Sequence, residues 1–189
     1  MTSTTLSEGE WAQLLGRARR AGASALGMPV TSPAPPEPSG RLSEPGMCFV
    51  TWKRDGRLRG CIGSVEPVQQ LWADVEANAV QALLRDPRFP PATPKEFPRY
   101  RADISVLSPF APTPDPLSSV VIGVHGLLIE KGRRRGLLLP QVAVEWAWDV
   151  PTFLRQACLK AGLPEEAWRE GSPPATVYTF SAEVFGEAL

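Results

Sequence analysis

The segment Met47-Cys48-Phe49-Val50-Thr51-Trp52-Lys53-Arg54-Asp55-Gly56-Arg57-Leu58-Arg59-Gly60-Cys61-Ile62-Gly63 holds two short β-prone runs, Met47 to Lys53 and Leu58 to Ile62, either side of an Asp55-Gly56 pair. Asp-Gly suits the two-residue type I′ turn, whose positive φ angles match the twist of paired antiparallel strands. The segment therefore predicts a β-hairpin. It also places a thiol, Cys61, between two glycines on the second strand.

Toward the N-terminus, Ser7 with Glu10 three residues later reads as a capping box. Trp11, Leu14, Leu15, Ala18 and Ala25 follow at helical spacing, with Arg17, Arg19 and Arg20 on other faces and Gly27 as the stop. An amphipathic helix over residues 7–26 is expected. Residues 28–46 carry Pro29, Pro33, Pro35, Pro36, Pro38 and Pro45, which deny both helix and ladder bonding, so an extended, mobile linker is expected there. Residues 47–189 form the main body, and the whole chain reads as one domain.

Toward the C-terminus, Val65-Glu66-Pro67 is expected to open a helix with the apolar stripe Val68, Leu71, Trp72, Val75, Ala79, Ala82 and Leu83, ended by Asp86-Pro87. Thr93, Pro94 and Glu96 have the pattern of a short capped helix. Arg101 to Leu107 alternates as a strand, with Ala102, Ile104 and Val106 on one side. Leu127 to Glu130 and Leu137 to Leu139 predict a second hairpin. Asp149 caps a helix carrying Phe153, Leu154, Ala157, Cys158 and Ala161 up to Gly162, and a last strand runs from Thr176 to Phe180. Hairpins dominate the connections, so the expected class is α+β with mainly antiparallel sheet. No strand is followed by a nucleotide-binding glycine fingerprint.

Twenty basic side chains balance twenty acidic ones, so no long-range field steers the chain toward nucleic acid or anionic lipid. The three cysteines are widely spaced and odd in number, which favours a reducing compartment over a disulfide framework. A zinc site needs about four ligands; all three cysteines and the single histidine would have to converge, and no metal or cofactor is expected. Met1 to Gly9 lacks a secretory pattern and no apolar run is long enough to cross a bilayer, so a cytoplasmic location and no membrane contact are expected.

Four places could carry chemistry or binding. Glycines flanking Cys61 remove neighbouring side chains and let another group approach the backbone. A helix N-terminus just after Cys61, or Arg59 facing the sulfur, would favour the thiolate; a small buried hydrophobe is the plainer reading of the same residue. His125, in Gly123-Val124-His125-Gly126, is a candidate acid or base, or else a hairpin-edge side chain bonded to a backbone carbonyl. Glu145 lies among apolar neighbours in Leu139 to Asp149, where a carboxyl can trade protons near neutrality, unless it is simply at the surface. Trp146 and Trp148 read as core. Lys131, Arg133, Arg134 and Arg135 make a basic hairpin tip, either a solvated turn or a phosphate or RNA contact.

Taken in order, Leu58-Arg59-Gly60-Cys61-Ile62-Gly63, Asp86-Pro87-Arg88-Phe89-Pro90-Pro91, Gly123-Val124-His125-Gly126 and Leu139-Pro140-Gln141-Val142 before Trp148-Asp149 resemble the signature of the AMMECR (AMME chromosomal region) family. In prokaryotes this resembles the A component of the Amme–Memo–RadiSam system. The resemblance implies a two-lobed α+β fold with a cleft between the lobes near Cys61. It carries a suspected catalytic role onto the motif that holds Arg59, Gly60, Cys61 and Gly63. Together with the residue readings above, the catalytic candidates are Cys61, His125 and Glu145, acting on a small-molecule or protein substrate, and the binding candidates are Arg59, Gly60, Gly63, Arg88 and Gln141. The resemblance also implies Memo-like and radical SAM partner proteins. The alternative is a non-catalytic binding module or scaffold for nucleic acid or for those partners. The proline-rich residues 28–46 depart from the family pattern.

Overall fold

The computed structural model describes residues 5–30 and 33–187; Thr31 and Ser32 of the proline-rich stretch, and the first four residues of the segment read for a leader, lie outside the described residues. In chain order the elements are α1 (Glu8–Ala25), β1 (Cys48–Arg54), β2 (Arg57–Gly63), α2 (Leu71–Leu84), β3 (Tyr100–Leu107), β4 (Ala111–Pro112), α3 (Pro116–Ser119), β5 (Gly126–Lys131), β6 (Arg134–Leu138), α4 (Pro140–Glu145), α5 (Val150–Lys160), β7 (Thr176–Phe180) and β8 (Ala182–Gly186), with 3-10 turns at Gly40–Ser43 and Phe97–Arg99. The fold is α+β. Two compact units divide it, Met1–Val106 with Glu183–Leu189, and Leu107–Ala182.

The first unit is built on a four-stranded sheet of order β2-β1-β3-β8. Its β1–β2 hairpin turns at Asp55 (φ 52°) and Gly56 (φ 75°), both left-handed, as a type I′ turn demands. Register pairs Trp52 with Gly60 but Lys53 with Leu58, so Arg59 is an extra residue on β2, a β-bulge. Val50, Trp52, Ala102 and Ile104 face the helices and form the core with Leu14, Ala18, Val75 and Ala79. The alternation expected for β3 is present on Ala102, Ile104 and Val106.

Helix α1 begins with both bonds of the capping box, Ser7 N–H to Glu10 Oε2 at 2.8 Å and Glu10 N–H to Ser7 Oγ at 3.3 Å. It ends in a Schellman pair, Gly27 N–H to Ser24 O and Met28 N–H to Ala23 O, with Gly27 at φ 70°. Arg17, expected outside the apolar stripe, is buried. Its guanidinium lies 5.0 Å from the Trp72 ring and bonds Glu76 (3.0 Å) and the Pro36 carbonyl (2.8 Å). The proline-rich stretch also bonds to itself, Ser43 Oγ donating to Pro38 O, and bridges to α2 at Pro45 and Gln70.

Helix α2 starts at Leu71, later than the Val65-Glu66-Pro67 expected from sequence. The reason is tertiary: Gly46 N–H takes the Gln69 carbonyl and Leu71 N–H takes the Glu44 carbonyl, so residues 69–71 are committed to the preceding strap before the helix can begin. Val68 is accordingly exposed. Thr93 to Glu96 form a turn that leads into the 3-10 segment at Phe97 rather than a capped α-helix.

The second unit has a sheet of order β4-β7-β5-β6, all antiparallel pairs, over a core of Leu127, Ile129, Phe153, Leu154, Ala157 and Cys158. Its β5–β6 hairpin closes in two residues, with Gly132 at φ 61° in the first, the pattern of a type II′ turn. Asp149 caps α5 through Thr152 N–H at 2.9 Å, and Gly162 at φ 70° follows its end, both as expected. Helix α4 and strands β4 and β8 are additions that the sequence pattern does not announce. Trp146, expected in the core, is 68% exposed and stacks on Trp148 at 6.1 Å, because the short α4 ends just before it and Ala147 turns back at φ 51°. Among the described residues no helix is long and apolar enough to cross a membrane.

Candidate functional site

Strand β2 is an edge of the first sheet, and its outer side has no neighbouring strand. At Cys61 that edge is closed by side chains. Cys61 N–H donates to Asp86 Oδ2 at 2.9 Å, and Cys61 C=O accepts from Arg88 Nη2 at 3.2 Å. The two side chains are themselves joined by a fork, Arg88 Nε to Asp86 Oδ1 at 2.9 Å and Nη2 to Oδ2 at 2.7 Å. Asp86 is 5% exposed. The Arg88 fork, with help from the Cys61 N–H, outweighs burial and holds the Asp86 carboxyl down at about 2.

The backbone grip aims the thiol. Cys61 is opposite Thr51, on the sheet face turned away from the helices, and Thr51 Oγ1 donates to Cys61 Sγ at 3.2 Å. The residue is half-buried and unpaired, whereas Cys48 and Cys158 are both fully buried. Beyond Thr51 in the same rung lies Asp103 of β3, which pairs with Lys53 at 2.5 Å.

Two of the sequence arguments for the thiol do not hold. The macrodipole argument fails because the helix end beside β2 is the carbonyl end: a Cβ on Gly60 would sit 1.9 Å from the Ala82 carbonyl, in the last turn of α2. Arg59 does not face the sulfur, since the bulge turns it toward the helix side, where its Nε donates to the Tyr100 hydroxyl at 3.3 Å and its guanidinium lies 5.9 Å from the Phe89 ring. The space that Gly60 and Gly63 leave is taken by α2 and by the Phe49 ring, 2.3 Å from a Cβ built on Gly63.

His125, Gln141 and Glu145 belong to the second unit. His125 closes the turn before β5 by accepting Val121 N–H on Nδ1 at 3.1 Å, so it bonds a backbone donor instead of the expected carbonyl. Gln141 is half-buried in the first turn of α4, and Glu145 at its end is exposed, the surface placement that the sequence left open for it. The basic hairpin tip is partly spent within the fold: Arg134 donates to Gly162 O at 2.7 Å and Arg135 pairs with Glu130 at 3.3 Å.

Sequence reasoning missed Thr51, Asp103 and a buried polar knot behind the hairpin. In that knot Asp74, fully buried, accepts from Cys48 N–H, Ser64 Oγ, Gln69 Nε2 and Asn78 Nδ2 at 2.5 to 3.0 Å. Burial, then the Asp74 charge, pushes the Cys48 thiol well up, which keeps it protonated and inert. Asp74 and Asn78, four apart on the apolar stripe of α2, were the available signal for the knot. For Thr51 and Asp103 there was none without strand register. Among the described residues no three His, Cys, Asp or Glu side chains are grouped as a metal ion would need.

The fold and site define an α+β protein with a half-exposed thiol clamped on a sheet edge. The chain belongs to the AMMECR1 family, whose sequence pattern matches residues 16–185. It is 45% identical over 148 residues to a protein of Methanothermobacter thermautotrophicus, covering 74% of each chain. To a Thermococcus kodakarensis protein it is 40% identical over 188 residues, covering 94% of this chain and 91% of that one. The crystal structure of an uncharacterised Pyrococcus horikoshii protein matches with a TM-score of 0.83 at 37% identity, over 94% of this chain and 92% of that chain.

Proposed function

We propose that this protein is an enzyme whose reactive group is the Cys61 thiol, acting as a nucleophile on a small molecule or protein. The observation that carries the reading is the double grip of Asp86 and Arg88 on the Cys61 peptide. A nucleophile must be held in one geometry to gain from proximity, and here N–H, C=O and sulfur are each fixed by a named partner. Thr51 Oγ1 offers a donor to negative charge on the sulfur, and Arg88 sets a cation on the carbonyl of the same residue as that sulfur, Cys61. The test is alkylation of the folded protein with iodoacetamide, followed by peptide mass analysis. Cys61 alone should be modified, faster as pH rises, and Cys61→Ser should abolish both labelling and any activity found. An inert Cys61 overturns the reading.

A second reading, a docking module for the Memo-like and radical SAM partners implied by the family, is favoured by one surface of the second unit. Val121, Val124, Val144 and Trp146 are all more than half exposed there, and the Gly123 backbone lies close against Val144. Exposed apolar clusters with an aromatic anchor are the composition of interaction surfaces. It needs no thiol chemistry, and the two readings can hold together.

A further inference from the structure

The face of the first sheet that presents Cys61 carries a depression of about 620 Å³ lined by Lys53, Asp55, Arg99, Arg101, Asp103 and Glu187. Three cations face three carboxylates, so the charges look balanced until the pairs are assigned. Lys53 is bound to Asp103 at 2.5 Å and Arg99 to Asp55 at 2.5 Å. Glu187 is occupied from beneath, by Arg19 at 2.6 Å and by Ala102 N–H at 2.8 Å. Arg101 is left over. Its Nη1 donates only to the backbone carbonyls of Pro98 (3.1 Å) and Tyr100 (2.9 Å), and among the described residues no carboxylate pairs with it.

The carbonyls hold the Arg101 side chain in place while leaving its Nε and Nη2 donors unspent. A positioned guanidinium with spare donors is a fork for an oxyanion. Its place in the sheet connects it to the thiol. Arg101 is opposite Lys53 and two residues from Asp103, which is opposite Thr51, which is opposite Cys61. Strand spacing and rise put its Cα roughly 12 Å from that of Cys61, on the same face.

We propose that Arg101 binds the anionic group, carboxylate or phosphate, of the molecule that Cys61 attacks. This rests on the nucleophile reading above and adds a substrate class to it: an acid whose charge lies roughly 10 Å from its electrophilic atom, the span of two strands. Lys53 and Arg99 border the same depression, each neutralised by its own carboxylate, so Arg101 supplies the uncompensated charge among the lining side chains described.

Two aromatic disulfide reagents test it, 5,5′-dithiobis(2-nitrobenzoate), which carries two carboxylates, and the neutral 4,4′-dithiodipyridine, each compared between variant and parent so that the difference in their size cancels. With either, the Cys61 thiolate attacks one sulfur, a mixed disulfide forms, and the other half leaves as its thiolate or thione. Cys61→Ser supplies the background from the buried cysteines. Arg101→Gln should slow the anionic reagent about tenfold, the value of one charge-assisted hydrogen bond, and leave the neutral reagent unchanged. Arg101→Lys, which keeps the charge without the fork, should fall between. Equal slowing of both reagents, or slowing of neither, overturns the proposal. Calorimetric titration with pyrophosphate separates it from the thiol reading. Binding by the unmodified protein and by Cys61→Ser, lost in Arg101→Gln, supports the anion site even if Cys61 proves inert. Pyrophosphate binding that ignores Arg101, or no binding at all, removes the site whatever the thiol does.

Discussion

Asp86 does at one position what a neighbouring strand does elsewhere in the sheet. An edge strand presents unpaired N–H and C=O groups that invite pairing with another chain, and the Asp86–Arg88 pair satisfies both at Cys61. Because its carboxyl is held at about 2 in the fold, against about 3.9 for a free aspartate, the ionised form is bound more tightly when folded. The stability this gives is fully present above the unfolded value and is lost as pH falls through the folded one. Asp86→Asn should therefore cost ~2 kcal/mol in urea unfolding at pH 7. The gap from the parent should narrow between about pH 4 and pH 2; a gap independent of pH would show that the fork is not what stabilises the edge. The sequence displayed this residue inside Asp86-Pro87-Arg88-Phe89 but gave no reason to join it to Cys61, because the contact spans 25 positions and depends on where α2 ends.

Among elements, the β1–β2 hairpin and α2 make the clearest contrast. The hairpin was legible because its signal is local: Asp55-Gly56 fixes the turn, and the turn fixes the ladder up to the bulge. The start of α2 was not legible, since two backbone groups of residues 69–71 are claimed by residues 44–46, far away in sequence. The two elements meet at Gly60, whose missing side chain lets β2 approach the Ala82 carbonyl. Gly60→Ala places a methyl against backbone that cannot swing aside, and should destabilise by about 3 kcal/mol. Urea midpoints measure this directly; a change under about 0.5 kcal/mol, the range of ordinary surface substitutions, would mean that α2 shifts freely and that the close approach is incidental. Cys61 alkylation in that variant should also lose selectivity, since the strand that carries the thiol is displaced.

For the whole molecule, thiol and apolar surface belong to different units, so their roles can be separated. Trp146 is exposed and stacked on Trp148, and its removal leaves no core cavity. Trp146→Ala should keep the unfolding midpoint and the Cys61 alkylation rate of the parent. Its affinity for a purified Memo-like protein should drop at least roughly tenfold, as expected for an aromatic anchor. Undiminished affinity would remove this surface from the docking reading.

By itself the sequence settled the α+β class, the two hairpins, the capped ends of α1 and α5, and the motif that marks the family. Those features depend on neighbours a few residues apart, where turn chemistry, caps and periodicity act. Tertiary structure alone decided that Arg59 turns from the sulfur while Thr51 meets it, that Asp86 and Arg88 grip the Cys61 peptide, that Arg101 bonds backbone carbonyls and meets no carboxylate among the described residues, and that Trp146 faces solvent. Each of those depends on strand register, on a bulge, or on where a helix ends. Such choices are made by hydrogen bonds and packing between segments that the chain keeps far apart.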